Sequence, residues 1–78
     1  MSTFDYPTID MQATGIRLRE LRKSKNLTIK AVCSALGVSP QALGKWENGK
    51  SLPTLDNLYA LSHMYQTKIN DILIECKR

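Results

Sequence analysis

A chain of 78 residues with 42% hydrophobic and 23% charged residues has ordinary globular proportions, which exclude wholesale disorder. No apolar run approaches the roughly 18 residues of a membrane span, and the first ten residues lack the basic-then-apolar order of a leader. Two cysteines, Cys33 and Cys76, with no CxxC and no flanking histidine, fit neither a zinc site nor a secreted disulfide scaffold. One small, reduced, cytoplasmic domain without metal or cofactor is the expectation.

The net charge of +4 is concentrated in the middle of the chain. Residues 1–16 carry only Asp5 and Asp10, and residues 51–78 balance three cations against three acids. Between them, Arg17, Arg19, Arg22, Lys23, Lys25, Lys30, Lys45 and Lys50 face only Glu20 and Glu47. A field focused in this way attracts a polyanion, although a basic run can equally be a solvated helix face.

Residues 1–11 have no period, contain Pro7, and mix Phe4, Tyr6 and Ile9 with polar residues. They read as an N-terminal arm that is disordered, packs on a second copy through Phe4 and Tyr6, or reaches to the polyanion that the basic middle attracts, the last disfavoured by its acids. From Gln12 the pattern turns helical, with Leu18 and Leu21 on one face, and Asn26 is suited to stop it. Thr28 is a good N-cap for a second helix with Val32, Cys33 and Leu36 inward. Gly37 ends that helix, and Ser39-Pro40 opens a third as cap and first-turn proline, closing at Asn48-Gly49. Thr54 caps a fourth helix whose apolar stripe is Leu55, Leu58, Leu61 and Tyr65. A short fifth helix carries Ile69, Ile72 and Leu73, with Thr67 or Asn70 as its cap. The fold class is all-α, five short helices, with the domain at residues 12–78.

Two short helices joined by a tight glycine turn, within residues 28–49, make a helix-turn-helix arrangement. In the third helix Leu43 and Trp46 face the core, while Gln41, Gly44, Lys45 and Asn48 share the other side. That outer side has no acid. Gly44 costs about 1 kcal/mol of helix propensity, a cost tolerated where another backbone must come close.

The stretches Arg17-Leu18-Arg19-Glu20-Leu21-Arg22, Leu36-Gly37-Val38-Ser39 and Trp46-Glu47-Asn48-Gly49-Lys50, then Pro53 before a leucine-rich helix, resemble the Cro/repressor-type (XRE-like) helix-turn-helix DNA-binding domains. The resemblance runs from about residue 14 to about residue 74. It implies a compact five-helix fold like that of phage repressors, whose second motif helix enters the DNA major groove. Base-reading positions would then be Ser39, Pro40, Gln41 and Ala42, with Gly44 and Lys45 one turn on. Thr28, Asn48 and Lys50 match positions near the DNA backbone, and Glu47 matches one that pairs with Arg22. Charge and helix position add Arg17 and Lys30 as phosphate candidates. Gln41 can pair with adenine N6 and N7, Ala42 can touch a thymine methyl, and Lys45 can donate to guanine O6 and N7. Three positions depart from the pattern: Ile29 replaces a phosphate-binding glutamine, Pro40 removes a possible base reader, and Gln66 stands where glycine is common.

The expected function is a sequence-specific double-stranded DNA-binding transcriptional regulator, a repressor acting as a homodimer on a two-fold operator with half-sites ~34 Å apart. Its dimer surface is expected on the fifth helix and C-terminus, at Ile69, Ile72, Ile74 and Cys76. The alternative is a protein-interaction module with the same fold, an antitoxin or a modulator of another regulator. Nothing supports an enzyme: there is no nucleophile–base pair, metal cluster or phosphate loop, and His63 has no partner at a telling spacing. No small-molecule ligand or membrane partner is implied.

Overall fold

The computed structural model describes residues 7–77, and within them five helices follow in order: α1 Met11–Ser24, α2 Ile29–Leu36, α3 Pro40–Glu47, α4 Leu55–Met64 and α5 Ile69–Ile72. Four of them begin in the same way. The side chains of Asp10, Thr28, Ser39 and Thr54 accept the backbone N–H groups of Ala13, Ala31, Ala42 and Asn57, each satisfying a donor the helix cannot. Because Asp10 supplies that cap, α1 starts at Met11 rather than Gln12. The fifth helix is different. Neither Thr67 nor Asn70 caps it: Lys68 occupies the cap position without a side-chain bond, and the Thr67 N–H instead donates to the Ser62 carbonyl at 2.9 Å to close α4.

Helix α1 packs on α3 and α5, α2 on α3, and α4 on α5. Leu18, Val32, Leu43, Leu61, Tyr65 and Ile72 are fully buried between them, with Cys33, Trp46 and Leu58 completing the core. Two expectations about these faces need correction. Leu55 is not part of the α4 stripe but 74% exposed; the inward row is Leu58, Leu61, Ser62 and Tyr65. Both rows obey helical spacing, and only the position of the neighbouring helices selects the second. Ile72 is consumed by the domain's own core, with Ile69 and Leu73 packed against it, so α5 does not present the exposed apolar face expected of a dimer surface. Ile74 and Cys76 are half-buried.

The described start of the chain is tied to its end. The Asp10 N–H donates to the Ile74 carbonyl at 2.7 Å, and the Cys76 N–H donates to the Thr8 carbonyl at 2.8 Å. The buried Thr14 hydroxyl oxygen accepts the Ile74 N–H at 2.9 Å. Residues 8–10, read as part of an arm, are thereby paired, while Phe4 and Tyr6 lie outside the described residues. Among the described residues no helix is long and apolar enough to cross a membrane.

Candidate nucleic-acid interface

The turn between α2 and α3 is fixed at both ends. Gly37 adopts φ 70°, a left-handed conformation that a side chain disfavours, and its N–H and that of Val38 both return to the Cys33 carbonyl, at 2.8 and 3.1 Å. Two residues later Ser39 caps α3 with Pro40 in its first turn. The rigid turn therefore sets where the start of α3 points.

Leu43, Trp46 and Glu47 anchor α3 in the core and leave Ser39, Pro40, Gln41, Lys45 and Asn48 exposed, with Ala42 and Gly44 partly so. A methyl at Gly44 would meet nothing within 4 Å, so the middle of this surface is open space. Thr28, Lys30 and Lys50 are exposed as well. The hydroxyl oxygens of Thr28 and Ser39 accept cap bonds, at 3.0 and 3.1 Å, but each keeps its proton to donate to an acceptor outside. The assembled surface thus offers an amide, an ammonium, hydroxyl donors and a helix N-terminus, and among the described residues α2 and α3 contribute no exposed acid.

Arg17 is engaged elsewhere. Its Nε donates to the Asp71 carbonyl at 3.0 Å, an attachment of α1 to α5, and its side chain is half-buried.

Arg22 and Glu47 lie behind this surface. Arg22 Nε donates to Glu47 Oε2 at 2.7 Å and Nη2 to Oε1 at 3.1 Å, with both residues buried. The third donor, Nη1, reaches the Leu27 carbonyl at 3.0 Å, just before the Thr28 cap. One guanidinium thereby holds the end of α1, the approach to α2 and the last turn of α3. The hydrogen bonds that Arg22 donates to Glu47 raise its pKa against the opposing effect of burial. Two residues come close to this pair without the sequence placing them there, although the helical spacing does turn Tyr65 inward. Arg19, mostly exposed, brings its Nε to 3.6 Å from Glu47 Oε1; the three-residue spacing from Arg22 was the available signal. Tyr65 is fully buried with its hydroxyl unpartnered among the described residues, and burial, followed by the nearby Glu47 charge, pushes its pKa up to about 12.

A shallow groove of about 630 Å³ borders the surface, lined by Ile29, Lys30, Cys33, Ser34, Val38 and Pro40. Cys33 itself is buried, as its inward helical position required.

A family model described as helix-turn-helix matches residues 18–72. The HTH-type transcriptional activator BcrR of Enterococcus faecalis is 37% identical over 57 residues, which cover 73% of this chain and 28% of that protein. Among solved structures, the P22 c2 repressor protein in complex with a synthetic operator superposes with a TM-score of 0.74 at 34% identity, covering 80% of this chain and 94% of that one. The restriction-modification controller protein C.AhdI from Aeromonas hydrophila gives a TM-score of 0.72 at 27% identity over 81% and 96% of the two chains. The chain spans between 28% and 51% of the length of the protein relatives it matches.

Proposed function

Because the chain belongs to the Cro/repressor-type helix-turn-helix family, we propose that it is a sequence-specific, double-stranded DNA-binding transcriptional regulator of the cytoplasm that represses by occupying a two-fold operator as a dimer. The observation that carries this reading is the acid-free outer surface of α3, held in place by a buried ion pair and a fixed turn. Repression is the simpler sign, since occupancy alone blocks a promoter.

In this reading Gln41 and Lys45 read base edges in the major groove, and Ala42 meets a thymine methyl. Ser39 and Pro40 lie at the groove floor's edge, and Gly44 lets the DNA come close. Thr28, Lys30, Asn48 and Lys50 hold phosphates. Arg17 joins them only if it releases the Asp71 carbonyl.

A second reading, a protein-interaction module, is favoured by one observation. Ile29, 39% exposed at the start of α2, lines an apolar groove where a phosphate-binding residue was expected. The test is selection from a random-core duplex library at about 100 mM salt, followed by the Gln41→Ala and Lys45→Ala variants. An enriched two-fold motif that blurs in either variant supports the DNA reader. Bulk, steeply salt-sensitive retention without a motif would reject it in favour of the protein partner.

A further inference from the structure

The buried Arg22–Glu47 pair sits directly behind two of the expected phosphate ligands. Asn48 follows Glu47 in the chain, and Thr28 follows Leu27, whose carbonyl accepts the third Arg22 bond at 3.0 Å. Both Asn48 and Thr28 are exposed, so the pair backs onto the surface offered to a phosphate backbone. A third charged group reaches the same carboxylate. Arg19 brings its Nε to 3.6 Å from Glu47 Oε1, yet its side chain is 53% exposed where those of Arg22 and Glu47 are 8% and 2%.

The charges of this cluster do not balance. Arg22 satisfies both Glu47 oxygens, at 2.7 and 3.1 Å, and its burial keeps it from anything outside. The excess positive charge therefore falls on Arg19. At 3.6 Å its contact with Glu47 is longer than a hydrogen bond, so attraction aims the side chain without occupying its donors. The residues three and four away on α1 are Gly15, Ile16, Arg22 and Lys23, and none of them is acidic. The stem of Arg19 also starts from a fixed place. One turn earlier, a β-carbon on Gly15 would stand 2.6 Å from the carbonyl oxygens of Trp46 and Glu47, and one on Gly49 would stand 2.7 Å from the Gln12 Cα. These approaches lock α1 along the end of α3.

We propose that Arg19 is a further ligand for the DNA backbone, gripping one phosphate at the seam between α1 and the end of α3 while Glu47 behind it sets its direction. The inference deepens the DNA-binding reading above and rests on it. One carboxylate then serves two arginines differently: it holds Arg22 in the core and points Arg19 outward. Arginine suits the task, because the planar fork of Nη1 and Nη2 matches two phosphate oxygens at once.

The test is titration of a duplex carrying one enriched half-site with the full chain, between 50 and 200 mM salt. Arg19→Gln, which removes the charge and keeps a polar side chain, is expected to lower the slope of log affinity against log salt by about one and to leave the preferred sequence unchanged. Arg19→Lys should keep the slope but bind less tightly, since it retains the charge and loses the fork. A methylphosphonate scan of the same duplex neutralises one phosphate at a time. It should find one position that weakens the wild type and to which Arg19→Gln is indifferent. An unchanged slope in Arg19→Gln overturns the proposal, as does a variant as sensitive as the wild type at every position. A lower melting temperature with the slope unchanged would assign Arg19 to supporting Glu47 alone, and overturns it too. A library from which the wild type enriches no sequence sinks the DNA reading and this inference together, whereas an unchanged slope sinks only the inference.

Discussion

Gly15 lies so close to the end of α3 that a β-carbon placed on it would stand 2.6 Å from the carbonyl oxygen of Glu47. The contact is backbone against backbone and cannot yield by a rotamer change. Gly15→Ala is therefore expected to destabilise by about 1–3 kcal/mol despite the better helix propensity of alanine. Gly44→Ala, in open space one helix away, should stabilise by up to about 1 kcal/mol. If α3 faces DNA, the same methyl weakens operator binding. Denaturant melts and a duplex titration read both effects, and unchanged affinity in Gly44→Ala would count against close approach of DNA there.

Breaking the Arg22–Glu47 pair from either side leaves a buried charge without its closest partner. Arg22→Ala and Glu47→Ala are each expected to cost about 3–5 kcal/mol. The double variant should cost clearly less than the sum, because the second change removes the stranded partner. Urea denaturation of the four proteins checks this, and an additive cycle would refute the coupling.

Tyr65 sets an alkaline limit. Its folded pKa of about 12 lies above its ordinary value of 10.0, so the unfolded chain loses the proton first. The contribution is whole below about pH 10 and falls as the pH rises toward 12, by at most about 3 kcal/mol. Tyr65→Phe should flatten that decline. Because the hydroxyl has no partner among the described residues, the variant should cost less than about 1 kcal/mol at neutral pH. Thermal melts at stepped pH distinguish the two proteins.

Gln66 occupies φ 53°, where a side chain is disfavoured, and its Oε1 accepts only an exposed bond from Lys25 Nζ at 2.9 Å. Gln66→Gly is expected to raise stability by up to about 1 kcal/mol. A lower melting temperature would mean that the Lys25 contact outweighs backbone strain.

If the dimer makes about 6–10 phosphate contacts, operator affinity should drop ~10³–10⁵-fold between 50 and 200 mM salt. Lys50→Ala should reduce the salt slope by about one without changing the preferred sequence. A slope that stays put would remove Lys50 from the phosphate set.

What the sequence made legible was local. Thr28, Ser39 and Thr54 each serve a donor three residues ahead, and Asn26 and Gly37 turn left-handed at the ends of their own helices, so their roles depend on nothing distant. Leu43, Trp46 and Glu47 turn inward and Gln41, Lys45 and Asn48 outward because one helical period sorts them. The errors came where a distant neighbour decided. Leu55 fits an inward spacing as well as Leu58 does, until the position of the other helices leaves it in solvent. Ile72 reads as surplus until the core is seen to have room for it. Residues 8–10 have no period because their order comes from residues 74–76, at the far end of the chain.

That terminal pairing has a mechanical consequence. Thr8 bonds to Cys76 and Asp10 to Ile74, in antiparallel order, so the backbone leaves both strands on the same side. Tension applied between the two would meet the bonds one after another, as in opening a zipper, rather than all at once in shear. An optical-tweezers pull from residues 8 and 76 should therefore release this short clasp at low force before the helices yield, and a tether from either strand would load Thr14, through Ile74, ahead of the core.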